Sequence, residues 1–353
     1  MGAAATSDYR GSTSAQHFGD PQAEGESLRS GCGVYDLGFR AKISLTGPDR
    51  VRWLNGMVTN NVRDLAAGRG VYAFLLNPQG HILGDMFTYN RGESITVDTD
   101  INQAEKILST FDHYIIMDDV EVKNLSDDLT ALGVAGPQAV KVLAGAGLAV
   151  SELQPLQLQN VTWDGVESTI IRGEDDPNAS YEIWLPPSAV RRSWDALVAA
   201  GATRVGSDAI ELHRIMSGIP RYGVDIRERD LPQETEQARA LNFNKGCYVG
   251  QEIVERIRSR GMVHRKFSGF VADAAVVPGT KILAGEKEVG EVTSAASATI
   301  SDREIHVALG YIRREVGTPG RDVMIGPTRA RVASLPFTDA LPQAERSLEE
   351  RPA

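Results

Sequence analysis

The sequence predicts an α+β protein of more than one domain, ending in a small β-barrel or sandwich. Three observations predict it. At 353 residues the chain is longer than one hydrophobic core ordinarily organises. Strand and helix patterns mix along its first two thirds without the strict alternation of a doubly wound sheet. From Arg265 onward the texture changes to short alternating strands separated by glycine turns.

Taken in order, residues 1–27 are rich in Gly, Ala, Ser and Gln, with neither a hydrophobic signal core nor the arginines of a transit peptide. They read as a disordered tail, and order is expected from Leu28. Gly33 to Leu37 reads as a short helix end and Ala41 to Leu45 as a strand, broken at Gly47-Pro48-Asp49 before a helix over Arg50 to Met57. Val71 to Leu76 and His81 to Tyr89 are strands joined by Asn77-Pro78-Gln79-Gly80, a connection whose Pro and Gly mark a hairpin. A strand over Ser94 to Asp98, a helix over Asn102 to Tyr114 and strands over Val120 to Lys123 and Leu129 to Val134 follow. Ser44 to Val51 is then echoed by Gly133 to Val140: each reads as a strand, a Gly-Pro turn and a helix with Pro in its first turn. Two copies of one strand–helix unit suggest a pseudo-repeat.

Further strands are expected over Gln157 to Trp163, Glu167 to Arg172 and Tyr181 to Leu185. Helices follow over Pro187 to Ala200, with Val190, Trp194, Leu197 and Val198 inward, and over Asp208 to Ser217. The last strands are Phe267 to Ala272, Thr280 to Leu283, Glu288 to Ala295, His306 to Ile312, Asp322 to Ile325 and Thr328 to Leu335. The expected organisation is a tail over 1–27, an α+β region over 28–262 in two parts (about 28–130 and 131–262), a barrel over 263–337 and a tail over 338–353.

A net charge of −10 argues against a general binder of nucleic acid or of anionic membranes, because phosphate binding needs surplus cations. No apolar run approaches the ~18 residues of a membrane span. Two cysteines suit a reducing compartment, with the cytoplasm as the expected location, and are too few to supply the four thiolates of an iron–sulfur cluster. No metal site is expected.

The most informative stretch is Asn244-Lys245-Gly246-Cys247-Tyr248-Val249-Gly250-Gln251-Glu252. Ile253, Val254 and Ile257 mark a helix opening near Gly250 and ending at Gly261. Cys247 falls just before it, where Lys245 and the helix dipole both favour a thiolate. A small buried cysteine in a tight turn fits the local chemistry equally well. Cys32, between two glycines, reads as structural.

Lys245-Gly246-Cys247-Tyr248-Val249-Gly250-Gln251-Glu252 resembles the K-G-C-[FY]-x-G-Q-E signature of the YgfZ family, folate-binding relatives of the glycine cleavage T-protein. The resemblance runs from about residue 30 to 337. Arg214 to Gly223 is similar to the R-x-E-x-G-x-P-x-Y-G run, with Met216 in place of its glutamate. Pro232-Gln233-Glu234 resembles P-x-E, and Gly290 to Ser294 and Ala308 to Tyr311 resemble G-x-V-T-S and A-L-G-Y. In the hairpin, Gly80-His81-Ile82-Leu83-Gly84-Asp85 departs from G-G-x-x-D-D: one aspartate is Gly84, and an acid one position along a strand points to the opposite face.

The resemblance implies ferredoxin-like pseudo-repeats in two interleaved subdomains, a C-terminal β-barrel and a central folate cavity. It implies tetrahydrofolate, or a one-carbon form of it, as cofactor. It also implies a role in assembling or repairing iron–sulfur clusters in client enzymes, tRNA-modifying radical enzymes among them. Cys247 would be the reactive thiol and Lys245 its activator, with Tyr248 and Gln251 shaping the loop and helix start. Glu234 would hold the pterin through a charge-assisted, two-point contact, Arg260 would meet the glutamate tail of folate, and Asp85 is a further candidate at the cofactor. Two alternatives stay open: an aminomethyltransferase of the T-protein type, opposed by Gly84 and the thiol signature, and a folate-binding regulator without chemistry.

Overall fold

The computed structural model describes residues 2–150, 153–174, 179–300 and 302–337. The tail expected over 338–353 lies outside the described residues. In chain order the elements are β1 (Ala5–Tyr9), β2 (Ser12–His17), α1 (Pro21–Ser30), β3 (Gly33–Asp36), β4 (Arg40–Thr46), α2 (Arg50–Met57), β5 (Arg69–Leu76), β6 (Ile82–Asn90) and β7 (Ile95–Asp100). Then come α3 (Ile101–Tyr114), β8 (Glu121–Asn124), β9 (Thr130–Ala135), α4 (Ala139–Gly145), β10 (Leu158–Trp163), β11 (Val166–Arg172), β12 (Ser180–Leu185), α5 (Val190–Ala199), β13 (Thr203–Arg204) and α6 (Ser207–Met216). The chain continues with α7 (Gln251–Arg260), β14 (Arg265–Ala272), β15 (Lys281–Ala284), β16 (Lys287–Ile300), β17 (Arg303–Arg313), β18 (Asp322–Ile325) and β19 (Thr328–Ala333). They form two compact units: the described residues of Met1–Leu76, Leu83–Ile210 and Arg239–Val249, and those of Asn77–Ile82, Glu211–Ala238 and Gly250–Ala353.

The first unit holds a five-stranded sheet, β5-β6-β7-β4-β8, and a six-stranded sheet, β10-β11-β12-β9-β3-β13. Because β3 precedes β4 in sequence but belongs to the other sheet, the two halves are threaded through each other. On β4, Ile43 and Leu45 join Leu54 of α2 and Ile107 and Phe111 of α3 in one core. On the other sheet, Val134 and Ile183 join Leu143 of α4 and Trp194 and Leu197 of α5 in a second. A third apolar cluster, including Leu37, Phe39, Tyr89, Ala131 and Trp184, draws on both sheets, so their opposite faces look at each other. The sequence echo has a structural counterpart in the turns after β4 and β9. Gly47 (φ 91°) and Gly136 (φ 120°) lie where a Cβ would meet the carbonyl oxygens of Asp119 at 2.2 Å and Gly31 at 2.5 Å.

Three expectations need correction. The described residues of the tail expected over 1–27, residues 2–27, are not a tail. They form the β1–β2 hairpin and most of α1, whose N-terminus is capped by the Asp20 carboxylate, which accepts from the N–H groups of Gln22 and Ala23, with Pro21 opening the helix. Composition concealed this, because the segment is anchored by a few residues such as Tyr9, buried at 7% exposure, and Phe18, packed on Trp194. Residues 33–36 form a strand rather than a helix end, completing the six-stranded sheet between β9 and β13. Finally, the α+β region does not run unbroken to 262: residues 77–82, 211–238 and 250–262 belong to the second unit.

That unit contains the expected barrel, closed in the order β14-β17-β16-β15-β18-β19, with β19 returning to pair with β14. Phe270, Ile282, Val292, Ile312 and Ile325 fill it, each at 0% exposure. Outside it, the Arg214 guanidinium, itself buried, donates to Asp225 Oδ2 (2.7 Å), the Ile219 carbonyl (2.6 Å) and Ser294 Oγ (2.9 Å). The Arg214 to Gly223 run and the Gly290 to Ser294 segment thus form one polar knot.

Candidate functional site

The polar faces of the two sheets of the first unit meet in a layer of buried charge. Alternation along β4 sends Ala41, Ile43 and Leu45 toward the helices and Arg40 and Lys42 the other way. Lys42 donates to Asp98 Oδ1 at 2.6 Å, both side chains at 0% exposure, and its ammonium lies 4.8 Å from the ring centroid of Trp184 on β12. Arg40 donates to Asp98 Oδ2 through one nitrogen and to Asp100 Oδ1 (2.7 Å) through another. Arg10 of the N-terminal hairpin completes this set on Asp100 at 3.2 Å.

Asp85 of β6 adjoins the layer. Its Oδ2 accepts from the Tyr72 hydroxyl (2.7 Å) and its Oδ1 from Gln103 Nε2 (2.8 Å), while its backbone N–H donates to Gln103 Oε1 (3.0 Å). Burial, then the neighbouring Asp100 charge, raises its pKa above the ordinary carboxylate value, against the Tyr72 and Gln103 hydrogen bonds and Arg40. The guanidinium of Arg239 lies 4.3 Å over the Tyr72 ring and forms an ion pair with Glu174. Gly84 faces the opposite way, where an added Cβ would approach Gln103 Oε1 at 3.1 Å and Ile107 at 3.5 Å.

Glu182 of β12 shares a face with Trp184, whose Nε1–H donates to Glu182 Oε2 at 2.8 Å. Among the described residues no hydrogen bond reaches its other oxygen. Burial and the Asp98 charge raise its pKa, against Lys42, Arg40 and the Trp184 hydrogen bond.

The signature loop is stitched to the end of α2. Lys245, 6% exposed, donates to the carbonyls of Asn55 (2.6 Å), Val58 (2.6 Å) and Asn60 (2.8 Å), using all three of its N–H groups. The first two carbonyls lie in the last turn of α2 and at its cap, so Lys245 is a cationic C-cap. The Val249 N–H donates to the Gly56 carbonyl at 3.1 Å. Between these anchors Lys245 and Tyr248 are buried and Gly246 and Cys247 are exposed. The loop therefore presents the thiol to solvent, and the Lys245 ammonium is directed at backbone carbonyls rather than at sulfur. Burial, then the Arg63 charge, brings the Lys245 pKa down from 10.5 to about 7. Cys32 is the contrasting cysteine: buried, with its thiol pushed up to about 12 by burial. Under native conditions Cys247 is expected to alkylate at least 100-fold faster than Cys32, as read by mass spectrometry of labelled peptides. Equal rates would remove the presented thiol from consideration.

In the second unit, Glu234 does not offer a free carboxylate edge. Arg265 donates to both of its oxygens (3.0 and 2.9 Å) and the Leu231 N–H to one of them (3.1 Å). Arg265 also reaches Asp230 at 2.7 Å. Gln251 is the first residue of α7, following Gly250 at φ 81°, and Arg260 is its last, exposed and without a partner among the described residues. The structure thus gathers Asp85, Lys245, Cys247 and Tyr248 in the first unit and Glu234, Gln251 and Arg260 in the second. Sequence reasoning missed Arg40, Lys42, Tyr72, Asp98, Asp100, Gln103 and Glu182. A signal was present: Arg40-x-Lys42 and Asp98-x-Asp100 place like charges two apart on strands, hence on one face. Among the described residues no group of His, Cys, Asp and Glu is arranged to hold a metal, and no helix is long and apolar enough to cross a membrane.

Two faced sheets flanked by helices, with a closed six-stranded barrel, define an aminomethyltransferase-type fold. The crystal structure of glycine cleavage system aminomethyltransferase T from Bartonella henselae matches it with a TM-score of 0.85, at 22% identity over 96% of each chain. Residues 2–245 match the GCVT N-terminal domain and residues 265–339 the glycine cleavage T-protein C-terminal barrel domain. The chain belongs to the glycine cleavage T-protein family. Similar proteins include an aminomethyltransferase of Rubrobacter xylanophilus, 28% identical over 94% of this chain and 89% of its own length. A putative chloroplastic transferase of Arabidopsis thaliana is 26% identical over 88% of this chain and 72% of its own.

Proposed function

We propose that this protein binds tetrahydrofolate and, as a member of the YgfZ branch of its family, supports iron–sulfur cluster assembly or repair in client enzymes through Cys247. The observation that carries the reading is the signature loop, which holds Gly246 and Cys247 exposed between two buried anchors. A thiol presented in this way is suited to meeting a partner protein. The chain itself supplies only two cysteines, so any cluster it serves takes its other ligands elsewhere.

The donor set fits a pterin. An aminopyrimidine edge offers paired N–H donors, and Glu182 keeps an oxygen open for them within a largely enclosed layer lined by Trp184 and Tyr89. We therefore assign the pterin contact to Glu182 rather than to Glu234, whose oxygens are taken by Arg265. When bound, tetrahydrofolate supplies nitrogen atoms that accept or release a one-carbon unit. Asp85, fixed by Tyr72 and Gln103 and with its pKa raised by burial, is the carboxyl placed to exchange a proton with a basic nitrogen. Arg40 and Lys42 pair with Asp98, and Arg40 with Asp100, inside this layer.

A second reading, aminomethyl transfer of the T-protein type, has one observation in its favour. Asp85, not the position occupied by Gly84, faces the charge layer, so loss of the first hairpin acid does not empty the site.

Calorimetry with tetrahydrofolate tests the binding claim. Glu182→Gln is expected to weaken binding at least 10-fold, about 1.4 kcal/mol, while Glu234→Gln and Cys247→Ala leave it unchanged. No heat from the wild type would overturn folate binding. Restoration of iron–sulfur enzyme activity in cells lacking the protein is expected from the wild type and not from Cys247→Ala. Full rescue by Cys247→Ala, with Asp85-dependent turnover in a lipoyl-protein glycine cleavage assay, would establish the second reading instead.

A further inference from the structure

The β1–β2 hairpin turns through Arg10 (φ 56°) and Gly11 (φ 87°). A left-handed arginine is locally disfavoured, so something must hold it there. Its guanidinium reaches Asp100, ninety residues further on, at 3.2 Å, and lies 5.2 Å from the ring centroid of Tyr9 and 5.0 Å from that of Phe39. Asp100 is held from the other side by Arg40 at 2.7 Å. Burial alone would raise its pKa, but Arg10 and Arg40 outweigh burial and keep it below the ordinary value.

Asp100 and Asp85 are coupled by the sheet. Phe87 of β6 pairs with Asp98 of β7 at the end of their ladder; Asp85 lies two residues before Phe87 and Asp100 two residues after Asp98, so alternation puts both on the face of that pair. Like charges so placed disfavour each other, and the charge of Asp100 is felt at Asp85. The other groups facing Asp85 are Tyr72 from β5, Gln103 from α3 and Arg40 from β4, with Arg239 stacked on Tyr72. Arg40 already serves Asp98 as well as Asp100, so it cannot neutralise Asp100 alone.

We propose that Arg10, at the tip of the N-terminal hairpin, is a positioning residue for the Asp85 carboxyl, acting through Asp100. The hairpin then belongs to the functional layer and sets the field in which Asp85 works. The proposal takes the role of Asp85 from the folate reading, but its geometry stands without folate.

Carboxyl carbon NMR of the full chain, titrated with pH, tests it. Arg10→Gln leaves Asp100 less compensated and is expected to raise the Asp85 midpoint by about half a pH unit or more. Asp100→Asn removes the repelling charge and is expected to lower that midpoint. Arg10→Lys should return most of the wild-type value, and Arg29→Gln, half-buried on α1 and paired with Glu26, should leave it unchanged. A general loosening of the hairpin would not produce shifts of opposite sign, so the two variants separate positioning from folding. An Asp85 midpoint unmoved in folded Arg10→Gln, or moved in the same direction by both variants, would overturn the proposal. Opposite shifts without tetrahydrofolate heat at any pH would sink the folate reading and leave this one standing.

Discussion

Asp98→Ala is expected to destabilise the protein by about 3–5 kcal/mol, measured as a shift in the denaturant midpoint of the first unit. The carboxylate is fully buried and answers two cations, Lys42 at 2.6 Å and Arg40, so its removal leaves the buried Lys42 without its ion-pair partner and Arg40 with Asp100 alone. The instructive control is Arg52→Ala. Arg52 meets Asp118 at the same 2.6 Å, but its side chain is 69% exposed, and the expected change is too small to measure. Equal effects from the two variants would mean that water reaches the layer between the sheets.

The second large effect is expected from Lys245→Met, about 2–3 kcal/mol, because three carbonyls at the end of α2 lose their donor. Its pH dependence has a definite sign. The folded pKa of about 7 lies below the ordinary 10.5, so between these values the unfolded chain keeps a proton that the folded chain has released. This group's contribution is therefore constant below pH 7 and rises toward pH 10.5. The wild type should gain on Lys245→Met across that window in denaturant titrations. Slower alkylation of Cys247 in Lys245→Met, with stability unchanged, would restore the sequence reading of Lys245 as the activator of the thiol.

These two residues also show where sequence was informative. The helix read from Gly250 to Gly261 forms over Gln251–Arg260, because its apolar spacing and bounding glycines are local properties. The hairpin turn and the barrel were legible for the same reason, since turn chemistry and alternation need no knowledge of distant chain. The charge layer was not. Alternation on β4 reveals that Arg40 and Lys42 share a face but not what covers it, and a polar face is ordinarily wet. Only pairing across more than fifty residues, Lys42 with Asp98, makes it dry. Lys245 misled in the opposite sense: proximity along the chain to Cys247 suggested a partnership that the ammonium spends on carbonyls 185 to 190 residues earlier.

The division of the chain into interleaved segments governs how it can be made. Arg239–Val249 completes the first unit but leaves the ribosome only after Glu211–Ala238, which belongs to the second, and the second also requires the six residues of Asn77–Ile82 synthesised long before. Neither unit can therefore finish during translation ahead of the other's first parts.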